Sequence, residues 1–209
     1  MPRYHKLGKI PAKRHTVFRS PEGNLYHEEL FGTLGFSGMS SLIYHLNPPT
    51  IVTEPVKSTP VAPKIAIEKN MKALSFKGFS IKPEKDFLES RKTLFVNSSL
   101  HIGLAAPESF SKDYFYKNGD ADEMLFIHRG NGTLKTMYGE IPFKYGDYLI
   151  IPRGTTYQLD FATTDNRLLF IESFSPIFTP GRYRNIYGQF LEHSPFCERD
   201  MRLPENLVT

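Results

Sequence analysis

The 209-residue chain is 40% hydrophobic and 23% charged, with 17 phenylalanines, 11 tyrosines and no tryptophan, a composition that excludes a disordered or collagen-like polypeptide and leans towards strands. Its 26 basic and 22 acidic residues leave a net charge of +4, and much of the excess sits in the first nineteen residues, MPRYHKLGKIPAKRHTVFR. That arm has no zinc-finger spacing, aromatic RNP-like string or basic heptad beside it, so it reads as a solvated or interface arm and no nucleic-acid partner is expected. Cys197 is the single cysteine; it permits no internal disulfide and fits a reducing compartment, with cytoplasm the simple expectation. No apolar run of leader length follows the basic start, and no stretch approaches the roughly 18 apolar residues of a membrane span, so neither export nor membrane insertion is expected.

Along the chain, LYHEELFGTLGFSGMSSLIYH (25–45) is punctuated by Gly32, Gly35 and Gly38. Their every-third-residue spacing is not that of a dinucleotide loop, and they read as turns in a hairpin region. NPPTIVTEPVKSTPVAP (47–63) carries five prolines; proline removes backbone donors, so this stretch predicts a surface strap and not a central strand. PEKDFLES (83–90) predicts one short helix with proline in its first turn, and TLFVNSSLHIGLAAP (93–107) one or two strands. From Glu123 the pattern sharpens into EMLFIH, turn RGNG, TLKTMY, turn GEIPFKYGD, YLIIP, turn RGT, TYQLDF, loop ATTDNR and LLFIES. Short strands at about ten-residue spacing imply an antiparallel sandwich or barrel. The expected fold is therefore all-β, a double-stranded jelly-roll barrel with an extended N-terminal arm and little helix. Its expected divisions are 1–63 (arm, hairpin region and strap), 64–175 (barrel) and 176–209 (tail).

Spacings within residues 116–161 resemble the two motifs of the cupin superfamily, G-x5-H-x-H-x3,4-E-x6-G and G-x5-P-x-G-x2-H-x3-N. Glu123 with Gly130 matches the end of the first, and Gly146, Pro152 and Gly154 match the second. The histidines do not follow. Counting back from Glu123, two should fall at Tyr116 and Asn118, or at Lys117 and Gly119 with the shorter spacing, and the third at Tyr157. A non-haem Fe(II) site needs two neutral imidazoles and a carboxylate on one face, with positions open to substrate and oxygen. Glu123 alone does not provide that, and a phenol of pKa near 10 is a weak ligand. The spacing therefore predicts a barrel without its metal, Tyr157 filling the barrel mouth, and a vestigial pocket of Tyr116, Glu123, Tyr138 and Tyr157.

Outside the motifs, His193, Cys197 and Glu198 lie close in sequence, but Pro195 interrupts them and no paired His or Cys spacing completes a tetrahedral set, so they predict a hydrogen-bonded loop. His5, His15, His27, His45, His101 and His128 are scattered singly. Arg153 in the PRGT turn and Arg182 and Arg184 in GRYR suit a carboxylate or a neighbouring subunit, with the subunit preferred.

Taken together, the start MPRYHKLGKIPAKRHTVFR, the run LYHEELFGTLGFSGMSSLIYH, the barrel GDADEMLFIHRGNGTLKTMYGEIPFKYGDYLIIPRGTTYQL and the tail RNIYGQFLEHSPFCERDMRLPENL resemble the N-terminal part of bacterial homogentisate 1,2-dioxygenases, over essentially the whole chain. The resemblance implies a protein of two cupin barrels, about twice this length. Its second barrel carries Fe(II) on two histidines and a glutamate, and uses O2 to open the ring of homogentisate to maleylacetoacetate in tyrosine and phenylalanine breakdown. It implies a degenerate first barrel here, a C-terminal barrel as partner, and trimeric or hexameric assembly. No iron ligand carries over, so this chain alone is expected to bind no Fe(II) and to be inactive. The alternative is a stand-alone, metal-free cupin that binds a small molecule or a protein partner in the Tyr116, Glu123, Tyr138 and Tyr157 pocket.

Overall fold

The computed structural model describes residues 17–204, apart from 33, 39, 50, 56, 59, 71 and 110–113. The chain divides into two compact units, Lys9–Lys64 and a second that contains Ile65–Thr209. Most of the basic arm lies outside the described residues.

The first unit contains an antiparallel hairpin, β1 (His27–Phe31) and β2 (Ser41–His45), paired from His27 opposite His45 to Phe31 opposite Ser41. Gly35 and Gly38 stand between the strands with φ of +63° and +77°, the left-handed region that glycine enters without a Cβ penalty. An imidazole-carboxylate contact of 2.8 Å, His45 Nε2 to Glu29 Oε2, ties the strands on one face. The described residues of the proline-rich stretch 47–63 form no strand, as their missing donors require.

In the second unit the strands are β3 (Lys92–Val96), β4 (Leu100–Ala105), β5 (Tyr116–Lys117), β6 (Asp122–Arg129), β7 (Gly132–Thr136), β8 (Gly139–Phe143), β9 (Tyr148–Ile151), β10 (Thr156–Phe161) and β11 (Arg167–Ser173). They form two antiparallel sheets, β5-β10-β7-β8 and β3-β4-β11-β6-β9. From β4 to β11 every consecutive pair of strands changes sheets except β7 and β8, which gives the jelly-roll barrel expected from the spacing. Side chains of both sheets fill the interior, among them Leu125, Ile127, Leu134, Leu149, Leu159, Leu168 and Phe170. Among the described residues there is no α-helix, only short 3-10 turns at Gly78–Ser80, Gly181–Tyr183 and Glu198–Asp200, and no helix long and apolar enough to cross a membrane.

Two local expectations fail for clear reasons. Residues 83–90 form a turn and not a helix: only Ser90 N–H closes an i→i−4 bond, to Asp86 O at 3.0 Å. The Asp86 carboxylate caps Leu88 N–H at 2.7 Å and accepts from Tyr114 Oη, which holds the segment against the barrel in place of a second helical turn. The other exception is GEIPFKYGD, which begins with strand β8 and not a turn. Because β8 is the outer strand of its sheet, Pro142 can stand opposite Thr133 without removing a donor that a further strand would need.

The five-stranded sheet has apolar side chains on its outer face as well as in the interior. Ile102, Leu104, Leu169 and Phe126 point away from the interior, alternating with the buried Gly103, Ala105, Leu168 and Leu125. Residues 76–79 cover part of this outer face, with Phe76 5.7 Å from Phe95 and Phe79 4.7 Å from His128 in edge-to-face contacts. Phe95 and Tyr148 nevertheless remain 53% and 62% exposed.

Inside the barrel Gly103 lies against Phe170, and a Cβ there would come within 2.4 Å of Phe170 Cζ and of the Lys92 carbonyl oxygen. Backbone on one side and a fully buried ring on the other leave no room to relax. Gly103→Ala is expected to cost about 1–3 kcal/mol through overpacking, read as a lower urea midpoint with an unchanged slope.

Candidate functional site: a buried polar layer at one end of the barrel

The interior is layered. In the five-stranded sheet, the register places His101, Glu172, Glu123 and Ile151 side by side in one row across β4, β11, β6 and β9, and Gly103, Phe170, Leu125 and Leu149 in the next inward-facing row. The first row is polar and the second apolar.

On the opposite sheet Tyr116 of β5 stands directly across from Tyr157 of β10, their rings edge to face at 5.4 Å. Tyr157 is 0% exposed and its ring belongs to the hydrophobic core. Its hydroxyl crosses the barrel and donates to Glu123 Oε2 at 2.9 Å, so an amphipathic side chain serves both layers.

Glu123 is 1% exposed. Burial raises its carboxyl above the ordinary value, while Arg91 and the Tyr157 hydroxyl pull it down. Arg91 enters from the end of the 84–91 turn and places Nη1 3.4 Å from Glu123 Oε1 and Nη2 2.8 Å from Glu172 Oε1. Its guanidinium carbon lies 4.2 Å from the centroid of the Phe170 ring. Burial acts to lower the Arg91 pKa, but Glu172 and Glu123 together hold it above the usual value. Asn118 Nδ2 donates to the same Glu172 oxygen at 2.9 Å, and His101 Nδ1 lies 3.4 Å from the other. Both phenols are raised, Tyr157 well above 10 and Tyr116 to about 12, by burial first and then by the nearby carboxylates.

Of the residues expected from sequence, Tyr116, Glu123 and Tyr157 are brought together. Tyr138 stands on the turn between β7 and β8, where its N–H donates to Thr136 Oγ1. Arg153 donates from its backbone N–H to Asp122 Oδ1 at 3.0 Å and from Nη2 to Phe174 O at 2.9 Å, which ties its turn to the end of β11. Arg182 is exposed and stacks on Tyr183 at 4.6 Å, and Arg184 pairs with Phe190 in a β-bridge. Cys197 N–H donates to Asp200 Oδ2 in a capped turn, and among the described residues no three His, Cys, Asp or Glu side chains are grouped to hold a metal.

Sequence reasoning missed Arg91 and Glu172; His101, expected as a surface or satisfied core histidine, lies beside Glu172. Glu172 carried a usable signal, an acid on the inward parity of an apolar strand beside Leu168 and Phe170; Arg91 carried none.

These donors do not fit the Fe(II) that the motif spacing implies. The motif positions hold two phenols, an amide and one carboxylate, with the carboxylate already shared between a phenol and a guanidinium. Ionising Tyr157 beside Glu123 in a dry interior is opposed by both burial and charge.

Residues 7–182 match a family described as homogentisate 1,2-dioxygenase N-terminal. The chain belongs to this family. It is also 41% identical over 203 residues to a protein of Saccharolobus solfataricus that bears the name of a dioxygenase; the match covers 96% of this chain and 52% of that one, so the chain spans about half the length of this relative. Among solved structures, a cupin-2 domain protein of Shewanella frigidimarina aligns at 19% identity over 40% of this chain and 79% of that one, TM-score 0.35. SPY1581 of Streptococcus pyogenes aligns at 16% identity over 55% and 98%, TM-score 0.40. The fold assignment rests on the sheets themselves.

Tyr157→Phe removes the hydroxyl donated to a buried carboxylate and is expected to cost about 1–3 kcal/mol at neutral pH. A phenol whose folded pKa is raised contributes stability that is complete below the unfolded value near 10 and is lost as pH climbs through the folded one. The stability gap between wild type and Tyr157→Phe should therefore shrink above pH 10, as measured by denaturant titration from pH 7 to pH 11.

Proposed function

We propose that this chain is the N-terminal, non-catalytic barrel of a homogentisate 1,2-dioxygenase-like enzyme, which opens the ring of homogentisate with O2 to give maleylacetoacetate in tyrosine and phenylalanine catabolism. One observation carries the reading: in a chain of this family, the positions that would hold a metal converge in space and are already engaged, Tyr157 with Glu123 and Asn118 with Glu172, around Arg91. Fe(II), which activates O2 in such enzymes, then belongs to a second barrel. The share of the Saccharolobus relative left unmatched, nearly half, is long enough for one.

The second barrel also accounts for the outer face of the five-stranded sheet. An antiparallel sheet with one free face ordinarily turns polar side chains to water, whereas this one presents Phe95, Tyr148 and Ile150. We assign this face to the C-terminal barrel. Trimeric or hexameric assembly would engage other surfaces, with exposed Arg182 and the tip residues Ile186 and Tyr187 as the offered contacts. A stand-alone ligand-binding barrel is a weaker reading, because Glu123 and Tyr157 are closed off from solvent and bonded to each other. A surface depression of about 590 Å³ lies at the other end of β6, around Arg129, Tyr145 and Asp165, away from this layer.

Anaerobic loading with ferrous iron followed by desalting should leave the chain without stoichiometric iron, and oxygen-electrode traces with homogentisate should be flat. Iron-dependent oxygen uptake by this chain alone would overturn the reading. Amide exchange should show β3 and β9, which edge the apolar face, better protected in a full-length family protein than in this chain; equal protection would remove the second barrel from that face.

A further inference from the structure

Glu123 and Glu172 face each other across β6 and β11 in direct register, both on the inward side of the sheet. Like charges directly opposite each other on neighbouring strands repel, and burial strengthens that repulsion. The side chains are 1% and 16% exposed, so water does little to relieve it. Either a proton on one of them or a cation between them must relieve it.

Arg91 supplies the cation. Its planar fork reaches one oxygen of each carboxylate, and its flat face rests on Phe170 at 4.2 Å with Phe87 at 5.8 Å. The segment that delivers it is built for the purpose. Phe87 and Ser90 are fully buried, Ser90 Oγ donates to Phe87 O at 3.0 Å, and Glu84 and Pro107 form a bridge that pins the start of the turn. Also near the guanidinium are the Tyr116 phenol and, turned towards Glu172, the amide of Asn118 just past β5 and the imidazole of His101.

We propose that the Arg91 guanidinium is the resident cation of this barrel, built into the chain at the point where two buried carboxylates would otherwise have to take up a proton or a bound cation. Arg91 thereby does two things. It offsets one of the two negative charges of the Glu123–Glu172 pair while touching both, and it occupies the space and the one oxygen of each carboxylate that a divalent cation would use.

The inference is independent of substrate identity and is tested on the chain itself. Arg91→Met should lower the melting temperature by about 10 °C, the cost of leaving buried charge unpaired in a protein of this size. In an E123Q/E172Q background the same Arg91→Met change should cause no loss and should raise it by a few degrees, because the guanidinium is then the unpaired buried charge. If Arg91→Met fails to fold, the triple variant Arg91→Met/Glu123→Gln/Glu172→Gln should fold and melt cooperatively. An equal loss in both backgrounds, or a triple variant that also fails to fold, would show that Arg91 acts through packing and would overturn the proposal. Arg91→Ala, which leaves a guanidinium-sized space, should gain about 3 °C in low-millimolar methylguanidinium while wild type gains nothing; an equal response of the two proteins counts against it. Finally, wild type titrated with Mn2+ should show no stoichiometric site, and a Mn2+ site abolished by Glu123→Gln would overturn the claim that Arg91 holds that place.

Discussion

The barrel is organised around the two carboxylates that β6 and β11 bring face to face. Register alone places Glu123 opposite Glu172 on the interior side, and every unusual feature nearby answers the charge this concentrates. Arg91 bridges the pair, Tyr157 sends its hydroxyl across from the other sheet, and Asn118 donates to the second carboxylate. The next layer inward is shaped by the same demand. Phe170 must lie flat beneath the guanidinium, and Gly103 must lack a side chain for Phe170 to fit.

Such an arrangement stabilises one structure at the expense of chemistry. A catalytic metal needs carboxylate lone pairs that are free and a coordination position open to solvent or substrate. Here the lone pairs accept from a guanidinium, an amide and a phenol, and the phenol is held protonated by burial and by the charge beside it. The polar layer therefore reads as a permanent brace at the end of a barrel whose remaining interior is hydrocarbon. The chain's part in a longer enzyme would then be to present surfaces, and the apolar outer face of its larger sheet is one such surface.

Much of this was visible in the letters. The strands from Glu123 onward were legible because apolar residues alternate there and glycine, asparagine and proline mark the corners. Tyr116, Asn118, Glu123 and Tyr157 were legible because motif spacing within a hairpin-rich barrel maps almost directly onto space. Where the reading failed, a tertiary circumstance overrode a local one. Pro142 looked like a turn residue, but an edge strand tolerates it. Residues 83–90 looked helical, but Asp86 is drawn to Tyr114 and the turn is held down onto the barrel by Phe87.

By itself the sequence determined the all-β class, the jelly-roll spacing, the loss of the imidazole ligands and the family, because these depend on periodicity and on residues close together along the chain. Only the tertiary structure decided what replaced the ligands. Arg91 lies 32 residues from Glu123, and Asn118 lies 54 from Glu172. Nothing in the local pattern of an arginine after a short turn distinguishes a surface cation from one inserted into a barrel. That choice is made by strand register and by burial, which turn two ordinary glutamates into a facing pair whose repulsion a positive charge between them relieves.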